Sequence, residues 1–292
     1  MLARYPEDTR LFIEESLKKY FPEARYPEVI YQAMAHSLFS GGKRFRGILV
    51  IEAARLLGRE PEYVSATACA VEYVHTYSLI HDDLPSIDND DLRRGRPTCH
   101  KVFGEDIAIL AGDALYSEAF RLISSEQKAD DPNNIVWVIR ELAAASGVTG
   151  MVGGQVVDIT SEGKTIDTST LEFIHKKKTG ELIKASVRSG AILAGASLRE
   201  LDLLTKYAEY LGLAFQITDD ILDVTGDTAV LGKMVGSDAR QGKATYPGLH
   251  GLEKAREMAK VTVDRAKDAL HGISKRVGAL NELADFVYER QV

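Results

Sequence analysis

Cysteine is scarce in this sequence, and long apolar runs are missing. Cys69 and Cys99 are the two cysteines among 292 residues and form no C-x-x-C pair. That argues against a disulfide framework or a thiolate zinc site and fits a reducing cytoplasm. No run of about 18 apolar residues occurs, so no membrane span is expected. The N-terminal MLARYPEDTR is charged from Arg4 onward, unlike an export leader. Positive charge is in deficit too: 36 Lys and Arg face 43 Asp and Glu, net −7, which disfavours nucleic acid or an anionic membrane as a partner of the whole surface. Period-two alternation and Asn-Gly or Asp-Gly turns are absent, so sheet is not expected. No linker, low-complexity tract or repeat divides the chain, and residues 1–292 are expected to form one domain.

What is present reads as helix after helix. A first helix opens at Pro6, and a second runs from Pro27 until Gly41 and Gly42 stop it. A third spans Phe45 to Leu57, and a fourth runs from Pro61 through Ile80. The fourth is apolar nearly all round and should be central and buried. Gly104 to Ser124 and Asn134 to Ser146 carry helical patterning, and Gly147, Gly150, Gly153 and Gly154 suggest close helix contact. A long helix begins at Ser169, with Thr179 and Gly180 placed where a kink is expected. Leu201 to Val224, Leu252 to Leu270 and Val277 to Glu289 complete an all-α chain. The stretch from Gly226 to Gly248, rich in Gly, Asp and Lys, lacks helical character and reads as a lid.

The chemistry concentrates in His75 to Arg96, HTYSLIHDDLPSIDNDDLRRGR. Asp82, Asp83, Asp88, Asp90 and Asp91 would repel one another unless a cation relieved them, and oxygen-only ligands suit Mg²⁺. Asp82 and Asp88 are six residues apart, about 120° around an unbroken helix. Pro85 resolves this: the helix should end or kink near Leu84 and let Asp88 fold back. Arg93, Arg94 and Arg96 then offer forked donors to phosphate oxygens. A second acidic segment, FQITDDILD, sets Asp219 and Asp223 four apart on one helix face among apolar neighbours, as two carboxylates sharing a metal require. Basic residues are knotted at Lys43, Arg44 and Arg46, at the arginines above, and at Lys176, Lys177 and Lys178. An acidic protein with tight basic knots suggests a small polyanion bound at a defined site.

Two aspartate clusters, GGKRFR, the arginine run and a KTG segment together resemble the trans-prenyltransferases, the short-chain isoprenyl diphosphate synthases, from about Gly41 to Pro247. The likeness is greatest to the bacterial farnesyl branch. The resemblance implies a bundle of about 10 to 13 helices around a central substrate cavity, the isoprenoid synthase fold. It also implies head-to-tail condensation of isopentenyl diphosphate with an allylic diphosphate, dimethylallyl or geranyl, in a homodimer. By resemblance, Asp82, Asp88, Asp219 and Asp223 hold Mg²⁺, and Arg93, Lys178, Lys233 and Lys243 contact the allylic diphosphate. Lys43, Arg46, His75 and Arg94 match a metal-free cradle for isopentenyl diphosphate, and Thr179 and Gln216 match positions between the two sites. The chain departs from the usual GGKRLRP at Phe45 and Gly47, and from the common Asn at Cys99.

Tyr77, five residues before Asp82, would sit about 7.5 Å below the metal site along the helix axis. In the resembled family an aromatic here, with the longer aspartate loop, goes with a fifteen-carbon product; a geranylgeranyl product is the alternative. Rival readings are fewer. A class I terpene cyclase shares the first aspartate motif but needs no basic cradle. An inactive partner subunit typically loses an acidic motif. A di-iron bundle would use Glu72-x-x-His75 and Glu172-x-x-His175, leaving the aspartates and basic knots without a role.

Overall fold

The computed structural model describes residues 5–226, 243–273, 275 and 277–289. Lys233 and most of the expected lid lie outside those residues. The described residues hold fourteen α-helices: α1 Glu7–Tyr20, α2 Glu28–Leu38, α3 Phe45–Leu56, α4 Pro61–Asp82, α5 Cys99–Phe103, α6 Glu105–Glu126, α7 Asn133–Ser146, α8 Met151–Ser161, α9 Thr168–His175, α10 Glu181–Leu193, α11 Leu198–Thr225, α12 Tyr246–His250, α13 Leu252–Ala269 and α14 Gly278–Glu289. That is slightly more than expected because α5 and α12 are single turns of five residues.

Helix α4 is the axis of the bundle. Pro61 opens it, where a missing N–H matters least. Val64, Ala68, Cys69, Ala70, Val71, Tyr73 and Val74 are all fully buried, so it is enclosed on every side, by α1, α2, α3, α6 and α10. The small side chains among them let neighbouring backbones approach. Helix α11, 28 residues long, opens with a reciprocal cap in which Glu200 N donates to Ser197 Oγ and Ser197 N to Glu200 Oε2. Asp167 caps α9 by accepting from Thr170 N at 2.8 Å.

The kink expected at Thr179 and Gly180 takes the form of a π-turn, Lys176–Gly180, inserted between α9 and α10. Glycines press on it from both sides. A Cβ on Gly154 would run into the backbone of Lys178, and one on Gly212 would come within 2.9 Å of Gly180 Cα. Such turns frequently mark functional positions, since the extra residue turns side chains out of helical register.

One local element was not expected. Leu92–Arg93 and Arg96–Pro97 form a minimal antiparallel pair, Arg93 opposite Arg96, turned through Arg94 and Gly95 at φ 54° and 74°. Two positive φ values make the tight turn that favours Asn-Gly; here Arg94 takes the first place because its guanidinium is anchored elsewhere. The run Asn133–Ser161 is apolar and long enough in composition to resemble a span. It is split near Gly147 to Gly150 into α7 and α8, of 14 and 11 residues, each too short to cross a bilayer.

Candidate active site

A cavity of about 590 Å³ opens at the C-terminal end of α4. Arg46, His75, Tyr77, Asp82, Asp88, Arg93, Arg94, Lys178, Thr179, Gln216, Asp219 and Lys243 all line it. Lys43 and Asp223 do not. Lys43 is exposed, its ammonium 5.0 Å from the centre of the Phe286 ring; Asp223 is buried within α11.

The carboxylates gather because α4 stops. Asp82 is its last residue, two before the expected stop near Leu84, and the turn beyond carries Pro85. Asp88 N donates to Asp82 O at 2.9 Å and Asn89 N to Leu84 O at 3.1 Å. The chain thus folds back and brings Asp88 beside Asp82. Lysines interleave with these acids: Lys243 Nζ meets Asp88 Oδ1 at 2.9 Å and Lys178 Nζ meets Asp158 Oδ2 at 2.7 Å. Desolvation pushes the Asp82 carboxyl up to about 6; nearby Lys178 opposes the shift and Asp88 adds to it. Burial alone would depress the Lys178 ammonium, but Asp82 and Asp158 hold it above its ordinary value. Among the described residues no three His, Cys, Asp or Glu side chains converge closely enough to hold a metal as they stand; the lysines supply the positive charge.

The other wall is basic. Arg46 Nη1 lies 3.2 Å from His75 Nε2. Burial, then Arg46, Arg94, Arg93 and Arg44, hold the imidazole far below its usual range. His75 is therefore neutral, and with Arg46 as the only possible donor of that pair its Nε2 accepts. Arg94 bonds the Gly41 carbonyl and reaches Ser40 Oγ at 3.3 Å. Gly42, at φ 126°, takes a backbone conformation that favours glycine, and a Cβ there would sit 2.6 Å from the Arg94 guanidinium carbon and displace it. Arg93 is turned to Asp83, Nε to Oδ1 at 2.7 Å. Thr179 Oγ1 donates to Gln216 Oε1 at 2.8 Å and ties the π-turn to α11. Below Asp82, Tyr77 packs on His81 and on Tyr116, each 4.9 Å between centroids, and Tyr116 packs on Phe120.

Residues 27–278 match the family described as Polyprenyl synthetase. The chain is 46% identical over 290 residues to the farnesyl diphosphate synthase of Geobacillus stearothermophilus, covering 99% of this chain and 98% of that protein. It is 44% identical to the geranylgeranyl diphosphate synthase of Cyanophora paradoxa, covering 99% and 96%. The solved FPP/GFPP synthase of Zymomonas mobilis superposes with a TM-score of 0.85 at 38% identity, over 97% of this chain and 96% of that one. The chain belongs to the polyprenyl synthetase family. Its all-α bundle is the isoprenoid synthase fold, and its enzyme class is that of a trans-prenyltransferase, in a family dependent on a divalent metal. The terpene-cyclase and di-iron readings fall away. Glu72 and Glu172 have other partners in any case: Glu72 accepts from Gly47 N, and Glu172 pairs with Lys176.

Within this polyprenyl synthetase Gln155, Asp158 and Asp220 also line the cavity, and none of them was among the candidate site residues. Gln155 and Asp158 lie three apart on α8, in MVGGQVVDITS, where two polar residues on a largely apolar segment were the available signal. Gln155 Nε2 is buried without a hydrogen-bond partner among the described residues. Asp220, next to Asp219, accepts from Tyr246 N at 2.9 Å and faces His175 Nε2 at 3.6 Å. It thereby fastens the backbone just after Lys243 to α11. Burial lowers His175 to about 4. Gly47, where the motif usually has proline, has an N–H to donate, and Glu72 Oε1 takes it at 2.9 Å.

Proposed function

We propose that this polyprenyl synthetase joins isopentenyl diphosphate head-to-tail to dimethylallyl and then geranyl diphosphate, and releases farnesyl diphosphate. The observation that carries the reading is one cavity with two unlike walls, carboxylates interleaved with lysines on one and arginines beside a neutral histidine on the other. The relatives' names, farnesyl and geranylgeranyl diphosphate synthases, point the same way.

The donor set fits Mg²⁺: Asp82, Asp88 and Asp219 offer only hard carboxylate oxygens to one space, and the Asp82 carboxyl is raised first by burial and further by Asp88, a cost to its charged form that a cation would relieve. Asp223 belongs to the proposed ligand set one turn further along α11. Bound there, Mg²⁺ supplies Lewis-acid neutralisation of the leaving diphosphate, worth several kcal/mol. Arg93, Lys178 and Lys243 then bind the allylic diphosphate oxygens, with Lys233 assigned to the same group. On the opposite wall Arg46, His75 and Arg94, together with Lys43, hold isopentenyl diphosphate by fixed charge. Thr179 and Gln216 orient the space between. The allylic C–O bond breaks, the double bond of isopentenyl diphosphate attacks the allylic carbon, and the proton lost from the new chain goes to the departing diphosphate. Exclusion of water protects the cation meanwhile.

Tyr77 forms the floor for the growing chain. A twenty-carbon product is the second reading, because the geranylgeranyl relative is nearly as similar as the farnesyl one. We further infer a single domain, a cytoplasmic location and a homodimer, with no nucleic-acid partner and no membrane span. Support for the dimer comes from exposed apolar side chains on successive helices, Leu110 on α6, Val136 and Trp137 on α7, Val156 and Ile159 on α8. The deciding experiment is product analysis with isopentenyl diphosphate and each allylic diphosphate, with and without Mg²⁺. Farnesyl diphosphate only in the metal-containing reaction is expected; no condensation with any allylic partner would overturn the reading.

A further inference from the structure

A buried charge cluster lies directly behind the basic wall. Arg44 belongs to the same knot as Lys43 and Arg46, yet it does not line the cavity. Its φ is 51°, and the guanidinium turns inward, with the side chain only 1% exposed. There Nε donates to Glu14 Oε1 at 2.8 Å and Nη2 to the Leu38 carbonyl at 2.7 Å, while Nη1 faces Glu72 Oε2 at 3.8 Å. Glu72 is itself 1% exposed, and its second oxygen accepts the Gly47 N–H at 2.9 Å. One carboxylate thus faces a buried guanidinium and caps a backbone donor of the first turn of α3, a group without a partner inside its own helix.

Geometry makes that consequential for the site. Glu72 and His75 are three residues apart on α4 and share a face. Arg46 and Gly47 are neighbours on α3. The two helices are therefore joined at two adjacent points, Glu72 to Gly47 N and His75 to Arg46. The approach is close: a Cβ on Gly47 would lie 3.2 Å from Glu72 Cγ. A shift of α3 along α4 would break both contacts and move Arg46. We propose that Glu72, with Glu14 and Arg44 behind it, is a positioning residue that sets Arg46 and His75 for the homoallylic diphosphate without touching substrate.

This inference rests on the reading of the basic wall as the isopentenyl diphosphate site. Glu72→Gln keeps an acceptor for Gly47 N but removes the charge facing Arg44; Glu14→Gln loosens Arg44 from the other side and leaves the cap intact. Steady-state kinetics on the full chain, with circular dichroism and Tm to confirm folding, would be compared with Arg46→Ala. Expected are a rise of about tenfold in KM for isopentenyl diphosphate in Glu72→Gln and a smaller rise in Glu14→Gln, with the allylic KM within about twofold of wild type. If Glu72→Gln does not fold, Glu14→Gln carries the test alone. Arg46→Ala raising only the isopentenyl KM, while the folded glutamate variants match wild type or raise both KM values equally, overturns the positioning role by itself. Equal effects of Arg46→Ala on both substrates overturn the reading of the wall.

Discussion

The two walls of the cavity start from opposite charges, and on the proposed reading each binds a diphosphate. On the acidic wall Asp88 is paired with Lys243 and Asp158 with Lys178, contacts between lining side chains that an arriving metal and anion can exchange. On the basic wall Arg46 faces the neutral His75 and Arg94 is tied by backbone and hydroxyl oxygens, while the carboxylates Glu14 and Glu72 lie behind the lining, around Arg44. On the proposed reading the first wall needs a cation to bind its anion, whereas the second carries its positive charge in place. Charged groups on the two walls should therefore fail differently when removed.

The largest expected effect is on the acidic wall. Asp82→Ala or Asp219→Ala should lower kcat by about three orders of magnitude or more, with folding intact, because each removes a metal-holding oxygen from the step that breaks the C–O bond. Turnover of either near wild type at saturating Mg²⁺ would dissolve the distinction between the walls. Next comes Arg46→Ala, where loss of a charge-assisted donor costs roughly 1.5 to 3 kcal/mol, about one to two orders of magnitude in KM for isopentenyl diphosphate. The allylic KM should hardly move.

Below both walls, Tyr77→Ala should change product more than rate. The missing ring opens space toward Tyr116, and twenty-carbon or longer products are expected by chromatography of the released alcohols. An active variant that still stops at fifteen carbons places the floor elsewhere. The smallest effect is on stability in chelator. Asp82 has a folded pKa of about 6, above the unfolded value near 4. Its contribution is thus fully present below the unfolded pKa and is lost as pH rises through about 6. Asp82→Asn should accordingly raise Tm by a few degrees near pH 7 and leave it unchanged near pH 3.5. A gain equal at both pH values would remove the buried Asp82 charge as the cause.

The sequence was most legible where local rules and tertiary demands coincide. The apolar run of α4 announced a buried axis, and Pro85 announced the fold-back that places Asp88. Thr179 and Gly180 announced a disturbance and Gly154 a close helix contact, but that Gly154 and Gly212 meet at the π-turn from two other helices is visible only in the fold. The Arg94-Gly95 turn was missed for a similar reason: a left-handed arginine is tolerated because Gly41 and Ser40 hold its guanidinium. Asp158 belongs to no motif, and its role beside Lys178 emerges only from the packing of α8 against the π-turn. Glu72 enters the sequence reading only through Glu72-x-x-His75; in the fold it meets the N-terminus of α3 and the buried guanidinium of Arg44. Lys43 marks the opposite case, a motif residue whose side chain rests against Phe286 outside the lining.

The contrast between the walls is tested most directly by binding rather than turnover. Isopentenyl diphosphate and a non-ionisable allylic diphosphate analogue would each be titrated calorimetrically into the full chain, once with Mg²⁺ and once with excess chelator. The account predicts that isopentenyl diphosphate binds with nearly the same affinity in both, while the allylic analogue loses most of its affinity in chelator. The same metal dependence for both ligands would contradict it.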